Sequence, residues 1–278
     1  MKEDLGELDG PILIFGGPYS NLSATTAMHK KASDLDIAAS HVICTGDLVA
    51  YCAEPSETVA SIREWGCHVV MGNCEESLAL DADDCGCGFD ESSSCSLLSN
   101  EWYQFSKKHL SREHKQWMAE LPRQISFHHS GKRYLVVHGS ANSINEFVFE
   151  STDSTLKQTQ LQNNSADVII GGHCGIPFGH KVEEGYWLNA GVIGMPANDG
   201  TQSGWYMLIN SVEGKVSISW HRLEYNVSDT IKEMESHKLC QPYSQCLLNG
   251  LWPSMDILPA VELENQGRVI SLNAIDIQ

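Results

Sequence analysis

Four short stretches of this 278-residue chain set oxygen- and nitrogen-bearing side chains beside glycine: Gly46-Asp47, Gly72-Asn73-Cys74-Glu75, Val137-His138-Gly139-Ser140 and Gly171-Gly172-His173-Cys174-Gly175. An aspartate, an asparagine and two histidines make a mixed oxygen and nitrogen donor set. Such a set suits one divalent ion of the zinc, manganese or iron type. An ion held in this way acidifies a water and polarises an oxygen of an anionic substrate. Taken singly, each stretch has a plainer reading. Gly-Asp after a strand is an ordinary turn or helix cap, and a lone histidine at a strand end is usually a hydrogen-bonded structural residue. Four in succession, each after an apolar run, make the metal reading the stronger one.

The elements that must position these residues follow from the same pattern. Pro11–Phe15, His41–Cys44 and Cys67–Met71 are apolar runs that read as strands, each ending in glycine-containing turns. Helices are expected over Leu22–Lys31, capped by Asn21 or Ser20, and over Pro55–Trp65, with proline in the first turn. The repeated strand–loop–helix order predicts a parallel α/β layer, whose carboxyl strand ends line a ligand crevice. Residues 81–96 form an acidic Cys/Gly/Ser-rich loop. Helices follow at about 97–108 and 112–120, then strands at 123–128 and 133–138, a helix near 153–162 and a strand at 167–171. Short strands are expected from 180 to 222, chiefly Tyr186–Asn189, Gly204–Asn210 and Lys215–His221. A helix is expected over Val227–His237, and the tail after Pro242 reads as irregular. No repeat or long linker divides the chain, so one domain over 1–278 is expected, with an insertion at about 77–120 and a C-terminal extension at about 240–278.

Composition narrows the function classes. Eighteen basic against 36 acidic residues leave a net charge of −18. No Lys/Arg surplus exists to displace counterions, which argues against nucleic acid or an anionic membrane as partner. It leaves room for an anionic small substrate if a metal supplies the positive charge. No apolar run approaches a membrane span. The acidic, polar first ten residues are unlike a targeting segment, so a cytoplasmic setting with reduced thiols is the expectation. The oligomeric state is not readable.

The order of the motifs resembles that of calcineurin-like metallophosphoesterases. Ile43-Cys44-Thr45-Gly46-Asp47-Leu48-Val49-Ala50-Tyr51-Cys52-Ala53-Glu54-Pro55 is similar to their second motif. Gly72-Asn73-Cys74-Glu75 resembles the third, Val137-His138-Gly139 the fourth and Gly172-His173-Cys174-Gly175 the fifth. Asn189-Ala190-Gly191-Val192-Ile193-Gly194-Met195-Pro196 resembles the turn after the fifth motif in the small bacterial phosphodiesterase branch. The likeness runs over roughly residues 11–210. It implies an α/β fold of four layers, α-β-β-α, with two mixed sheets flanked by helices. It also implies metal-dependent hydrolysis of a phosphate monoester or diester of a small metabolite, with one or two Mn, Zn or Fe ions.

The resemblance also exposes a gap. The family usually holds two ions. The first takes Asp and His from the first motif and the last His of the fifth, and here Gly17, Tyr19 and Gly175 stand in those places. The second ion takes four residues that Asp47, Asn73, His138 and His173 match. The resemblance therefore implies a remodelled site. Cys74 stands where the family carries a histidine that protonates the leaving group, so Cys74 and Glu75 are candidate proton donors and Asp47 the bridge to any second ion. Cys74 and Cys174 are candidate soft ligands, joined by Cys85 and Cys87 if the 81–96 loop folds over the site. For Cys85, Cys87 and Cys95 a disulfide, a metal role and idle thiols stand equal. Cys44, Cys52, Cys67, Cys240 and Cys246 read as small buried hydrophobes. The turn Gly16–Asn21 offers Tyr19, Ser20 and Asn21 for substrate binding, through backbone N–H groups before a helix or the Tyr19 hydroxyl. Packing is the alternative for Tyr19. Two other readings of the whole stay open: a non-catalytic module that keeps one ion, and a thiolate-rich metal centre with different chemistry.

Overall fold

The computed structural model describes residues 1–88, 94–212, 214–239 and 241–277. In chain order the first half runs β1 (Lys2–Glu7), β2 (Ile12–Phe15), α1 (Leu22–Asp34), β3 (Val42–Cys44), α2 (Pro55–Trp65), β4 (His68–Val69), α3 (Asn73–Ala79), α4 (Ser94–His109), α5 (Arg112–Ala119), β5 (Gln124–His129) and β6 (Lys132–Val137). The second half runs α6 (Ser154–Asn164), β7 (Val168–Gly171), β8 (Phe178–Val182), β9 (Gly185–Asn189), β10 (Gly204–Val212), β11 (Lys215–Leu223), α7 (Val227–Ser236), α8 (Gln241–Asn249), α9 (Ala260–Glu264) and β12 (Ile275–Ile277).

The strands form two mixed sheets, ordered β1-β5-β6-β7-β9-β8 and β12-β11-β10-β2-β3-β4. In the first sheet β1/β5, β6/β7 and β7/β9 run parallel, and β5/β6 and β8/β9 antiparallel. In the second, β2/β3 and β3/β4 run parallel while β10, β11 and β12 add antiparallel. Strand alternation explains why both faces of each sheet are covered. Ile12 and Ile14 of β2 point between the sheets, against a layer that includes Phe127, Val136, Ile170, Leu188 and Ile209. Leu13 and Phe15 point the other way, into the helical layer with Met28, Val59, Trp102 and Ile231. Leu135, Ile169 and Trp187 face outward from the first sheet toward Leu161 of α6 and Phe149. This is the four-layer architecture the motif order implies.

Local chemistry sets the helix ends near the site. Asn21 caps α1, its side chain accepting from the Ala24 N–H at 3.0 Å. Pro55 opens α2 and Gly66, at φ 72°, closes it.

The acidic first residues, for which no element was expected, pair with β5 as an edge strand. Two of the expected elements need correction. The strand expected over Cys67–Met71 shrinks to His68–Val69, because the chain turns early to start α3. The expected parallel run is present in β2, β3 and β4, within a mixed sheet completed by the antiparallel β10, β11 and β12. The tail forms α8 and α9 and returns to pair with β11 through β12. Cys67 is half-buried and not a core residue, and Cys240 lies outside the described residues. No helix among the described residues is long and apolar enough to cross a membrane.

Ile170 is fully buried between the sheets on the strand that leads to His173. Ile170→Ala is expected to lower the unfolding free energy by about 2–5 kcal/mol, and Ile170→Val by about 0.5–1.5 kcal/mol. Urea denaturation of both variants checks this ordering.

Candidate metal centre

The carboxyl ends of β3, β6 and β7 and the start of α3 meet at one end of the sandwich. The first sheet supplies His138 and His173; the second supplies Asp47 and Asn73. His138 Nε2 lies 3.0 Å from Asn73 Oδ1, 3.0 Å from His173 Nδ1 and 3.3 Å from Asp47 Oδ2. Ligand atoms about 2.1 Å from a shared ion sit roughly 3–3.5 Å apart, so the spacing is that of a coordination shell. All four residues are deeply shielded, His173 least.

Three of the four donor side chains are aimed by a backbone partner. The Thr45 carbonyl accepts from His138 Nδ1 at 2.7 Å. That fixes the proton on Nδ1 and turns the Nε2 lone pair toward the cluster, the usual arrangement of a ligating histidine. Asn73 Nδ2 donates to the Cys85 carbonyl at 2.9 Å, so Oδ1 faces inward. The Cys74 N–H donates to Asp47 Oδ1 at 3.3 Å, leaving Oδ2 for the cluster. Three acceptor atoms thus converge where no protein cation stands between them. A divalent ion fits that electron-rich point.

The charges respond accordingly. Burial pushes the Asp47 carboxyl up, but the His138 and His173 imidazoles overcome it and hold Asp47 below the usual carboxylate range. Burial alone would lower His138; the Asp47 carboxylate raises it above 6.5. Burial and then the neighbouring His138 charge push His173 down to about 3.

Glu75 does not face the cluster. Its Oε2 accepts from the Asp47 and Gly72 N–H groups at 2.8 and 2.9 Å, and its Oε1 accepts from Leu48 N–H at 2.8 Å. It is fully buried, and burial with the nearby Asp47 charge raises its pKa to about 7. Its task is to clamp the Asp47 loop, which runs at φ 55°. Gly72 is needed beside it, since a Cβ there would sit 2.3 Å from Asp47 Oδ1.

The side of the site where Gly17, Tyr19 and Gly175 stand is lined by ring and hydrocarbon surfaces. Gly17 has φ 45°, and a Cβ on it would meet the Tyr19 ring and Val192 Cγ1 at 2.6 Å. Gly175 packs against Trp252 and Val192. Tyr19 stays a neutral phenol, since burial and then Asp47 raise it well above 10. Burial pushes Cys174 up to about 12, and its sulfur accepts from Asn189 Nδ2 at 3.1 Å. Among the described residues, the His, Cys and carboxylate donors that come within 4.8 Å of one another are Asp47, His138 and His173. Neither Cys74 nor Cys174 joins that group.

The expected anion cradle at Gly16–Asn21 is already spent. The N–H groups of Gly17, Tyr19 and Ser20 donate to the carbonyls of Gly46, Asp47 and Leu48 at 3.1, 3.2 and 2.8 Å, and Asn21 N–H donates to Pro18. The Asn21 side chain binds Ala24, Gly194, Tyr225 and Thr230, all within the scaffold. Ser20 is buried in the same loop. Of the three, Tyr19 alone lines the cavity that opens on Asp47 and His173.

That cavity is largely aromatic and apolar. Tyr51, Phe147, Met195, Tyr243, Trp252 and Ile257 contribute to its wall, and no Lys or Arg does among the described residues. Phe147 packs on the His173 ring at a centroid distance of 4.1 Å. Tyr51 and Met195 fall inside quoted motifs, but Phe147, Tyr243, Trp252 and Ile257 carried no signal in the sequence, because each lies in a loop or in the tail and acts through shape. The Thr45 carbonyl was likewise invisible, since any residue type supplies one.

Glu75→Gln replaces one of the two acceptor oxygens with a donor that faces N–H groups. The expected result is a loss of about 1–3 kcal/mol of stability together with weaker divalent-ion binding. Calorimetry with and without Mn checks both effects.

Residues 20–214 match the calcineurin-like phosphoesterase superfamily domain. An uncharacterized protein of Methanocaldococcus jannaschii is 26% identical over 258 residues, spanning 86% of this chain and 98% of the relative. The fold is similar to that of a hypothetical protein of Pyrococcus horikoshii, with a TM-score of 0.73 at 15% identity, over 87% of this chain and 99% of the other. It is also similar to a metallophosphoesterase of Sphaerobacter thermophilus, with a TM-score of 0.68 at 21% identity, over 88% and 100%. This family normally binds divalent metals. With the ordered motifs, the two-sheet sandwich and the converging donors of one site, the chain belongs to the calcineurin-like phosphoesterase family.

Proposed function

We propose that this protein hydrolyses a phosphate ester of a small metabolite at a single divalent ion held by Asp47, Asn73, His138 and His173. The observation that carries this reading is the convergence of Asn73 Oδ1, Asp47 Oδ2 and His173 Nδ1 within 3.0–3.3 Å of His138 Nε2. When bound, a divalent ion of the Mn, Zn or Fe type acidifies water and polarises a phosphoryl oxygen. The chain's own residues do the rest. Thr45 holds the His138 tautomer, Cys85 holds the Asn73 amide, and Glu75 holds the Asp47 backbone. Tyr19 presents a neutral hydroxyl on the cavity side that can donate to a phosphoryl oxygen. Cys74, whose backbone holds Asp47, is the proton donor proposed for the leaving group. Glu75 is not, because both of its oxygens are occupied. The aromatic wall of Tyr51, Phe147, Tyr243 and Trp252 receives the organic part of the ester and keeps bulk water away. With no Lys or Arg on that wall among the described residues, the substrate is a small ester and neither a nucleic acid nor a membrane surface.

One observation favours a second reading. Tyr19, Val192 and Trp252 occupy the side where the family's other ion is held, so a module that binds a ligand at one ion without turning it over is the alternative. Elemental analysis of purified protein is expected to give one ion per chain, and two ions per chain would overturn the single-ion site. His138→Ala and His173→Ala are expected to lose that ion and, with it, hydrolysis of phosphomonoesters or phosphodiesters in a screen with Mn, Zn, Fe, Ni and Mg. Full activity in either variant would refute the site. A loaded protein that turns over nothing in the screen would favour the binding module.

Trp252→Ala opens the cavity wall without touching the donors. It is expected to raise KM severalfold with kcat little changed, because uniform binding is lost. Steady-state kinetics on the best substrate of the screen checks this.

A further inference from the structure

The Cys-x-Cys loop ahead of α4 lies over the metal centre. Cys85 and Cys87 are joined by a disulfide, and both are buried. The loop is tied down on several sides. Asp84 accepts from the Gly86 N–H at 2.8 Å, Asn145 donates to the Gly86 carbonyl at 3.0 Å, and Gly86 lies against Ser77 of α3. Both of its cysteines reach the side chain of one proposed ligand, Asn73. The Cys85 carbonyl orients the Asn73 amide at 2.9 Å, and Cys87 Sγ lies 3.3 Å from the same amide nitrogen. Cys87 also lines the cavity beside Asp47, His173 and Cys174.

A sulfur in this place has two chemical states with different metal preferences. In a disulfide it is a poor ligand. As a thiolate it is a strong one, and it shifts preference from hard ions toward zinc and other soft divalent ions. We propose that Cys85 and Cys87 form a redox-controlled ligand pair. The disulfide leaves the ion to Asp47, Asn73, His138 and His173, and reduction adds the Cys87 thiolate as a further ligand. This rests on the four-residue site being a metal site.

The reductant is a dithiol. One of its thiolates attacks a sulfur of the Cys85–Cys87 bond and forms a mixed disulfide. Its second thiol then displaces the remaining cysteine, and the reductant leaves as its own disulfide. Two electrons and two protons pass to the cysteine pair. When Cys87 ligates, its thiol proton leaves to solvent.

Cobalt(II) as a spectroscopic probe tests the proposal without any substrate. The full-length protein is reduced with dithiothreitol, freed of it by anaerobic gel filtration and titrated with cobalt. Disulfide-bonded protein is titrated in parallel. Reduced wild type and reduced Cys85→Ser are expected to show a thiolate-to-cobalt charge-transfer absorption. Disulfide-bonded wild type and reduced Cys87→Ser are expected to show only the weak visible bands of cobalt with oxygen and nitrogen ligands. Zinc competition is expected to show binding about 10- to 100-fold tighter in reduced than in oxidised wild type, the scale on which changes beside metal ligands act, and no such difference in Cys87→Ser. Visible cobalt bands without charge transfer in reduced wild type would overturn the thiolate ligand while leaving the four-residue site intact. Charge transfer that persists in Cys87→Ser would assign the sulfur to another cysteine and overturn it too. No cobalt binding in any form would overturn the metal site itself.

Discussion

The bond from His138 Nδ1 to the Thr45 carbonyl, 2.7 Å long, crosses from one sheet to the other at the end of the sandwich. The imidazole belongs to the sheet of β5–β9 and its acceptor to the sheet of β2–β4. This contact fixes the distance between the sheets where the ligands gather and sets which nitrogen of His138 bears the proton. Asn73, His173 and Asp47 are then placed around the opposite nitrogen. The contact is made in a buried place where neither partner has water as a substitute, so it is expensive to leave unmade. Asp47 and Asn73 from one sheet, and His138 and His173 from the other, become a single site only through this closure.

Each proposed ligand has its own means of support, and the supports differ in kind. Asp47 is held by a backbone clamp from Glu75, Asn73 by a carbonyl from the Cys85 loop, and His173 by packing against Phe147. Tyr19 and Val192 bound the cavity on the other side, packed so closely that a Cβ on Gly17 would meet both at 2.6 Å.

Much of this was legible in the sequence. The four donors are polar residues at the ends of apolar runs, and strand ends converge in this architecture whatever else changes. Helix α2 was readable at both ends, because Pro55 and Gly66 mark them. What escaped the reading shares a physical cause. Strand β1 is an acidic edge whose pairing with β5 comes from backbone hydrogen bonds, which leave no side-chain pattern. Strand β12 is only three residues long. The roles of Thr45 and Cys85 are played by carbonyls, and that of Glu75 by a carboxylate turned away from the cluster. The substrate reading of Ser20 and Asn21 failed because the chain spends their N–H and amide groups on its own loops, a competition that only three-dimensional proximity reveals.

Part of the wall of the cavity comes late in the chain. Tyr243 and Cys246 lie on α8 and Trp252, Pro253 and Ile257 follow it, anchored where Trp252 donates to the Asn198 side chain and the Pro196 carbonyl at 2.8 Å. Asp47, Asn73, His138 and His173 all precede this segment in the chain. The tail's share of the wall is fixed by contacts that do not involve those four residues, so its side chains set the shape of the cavity independently of the donor geometry.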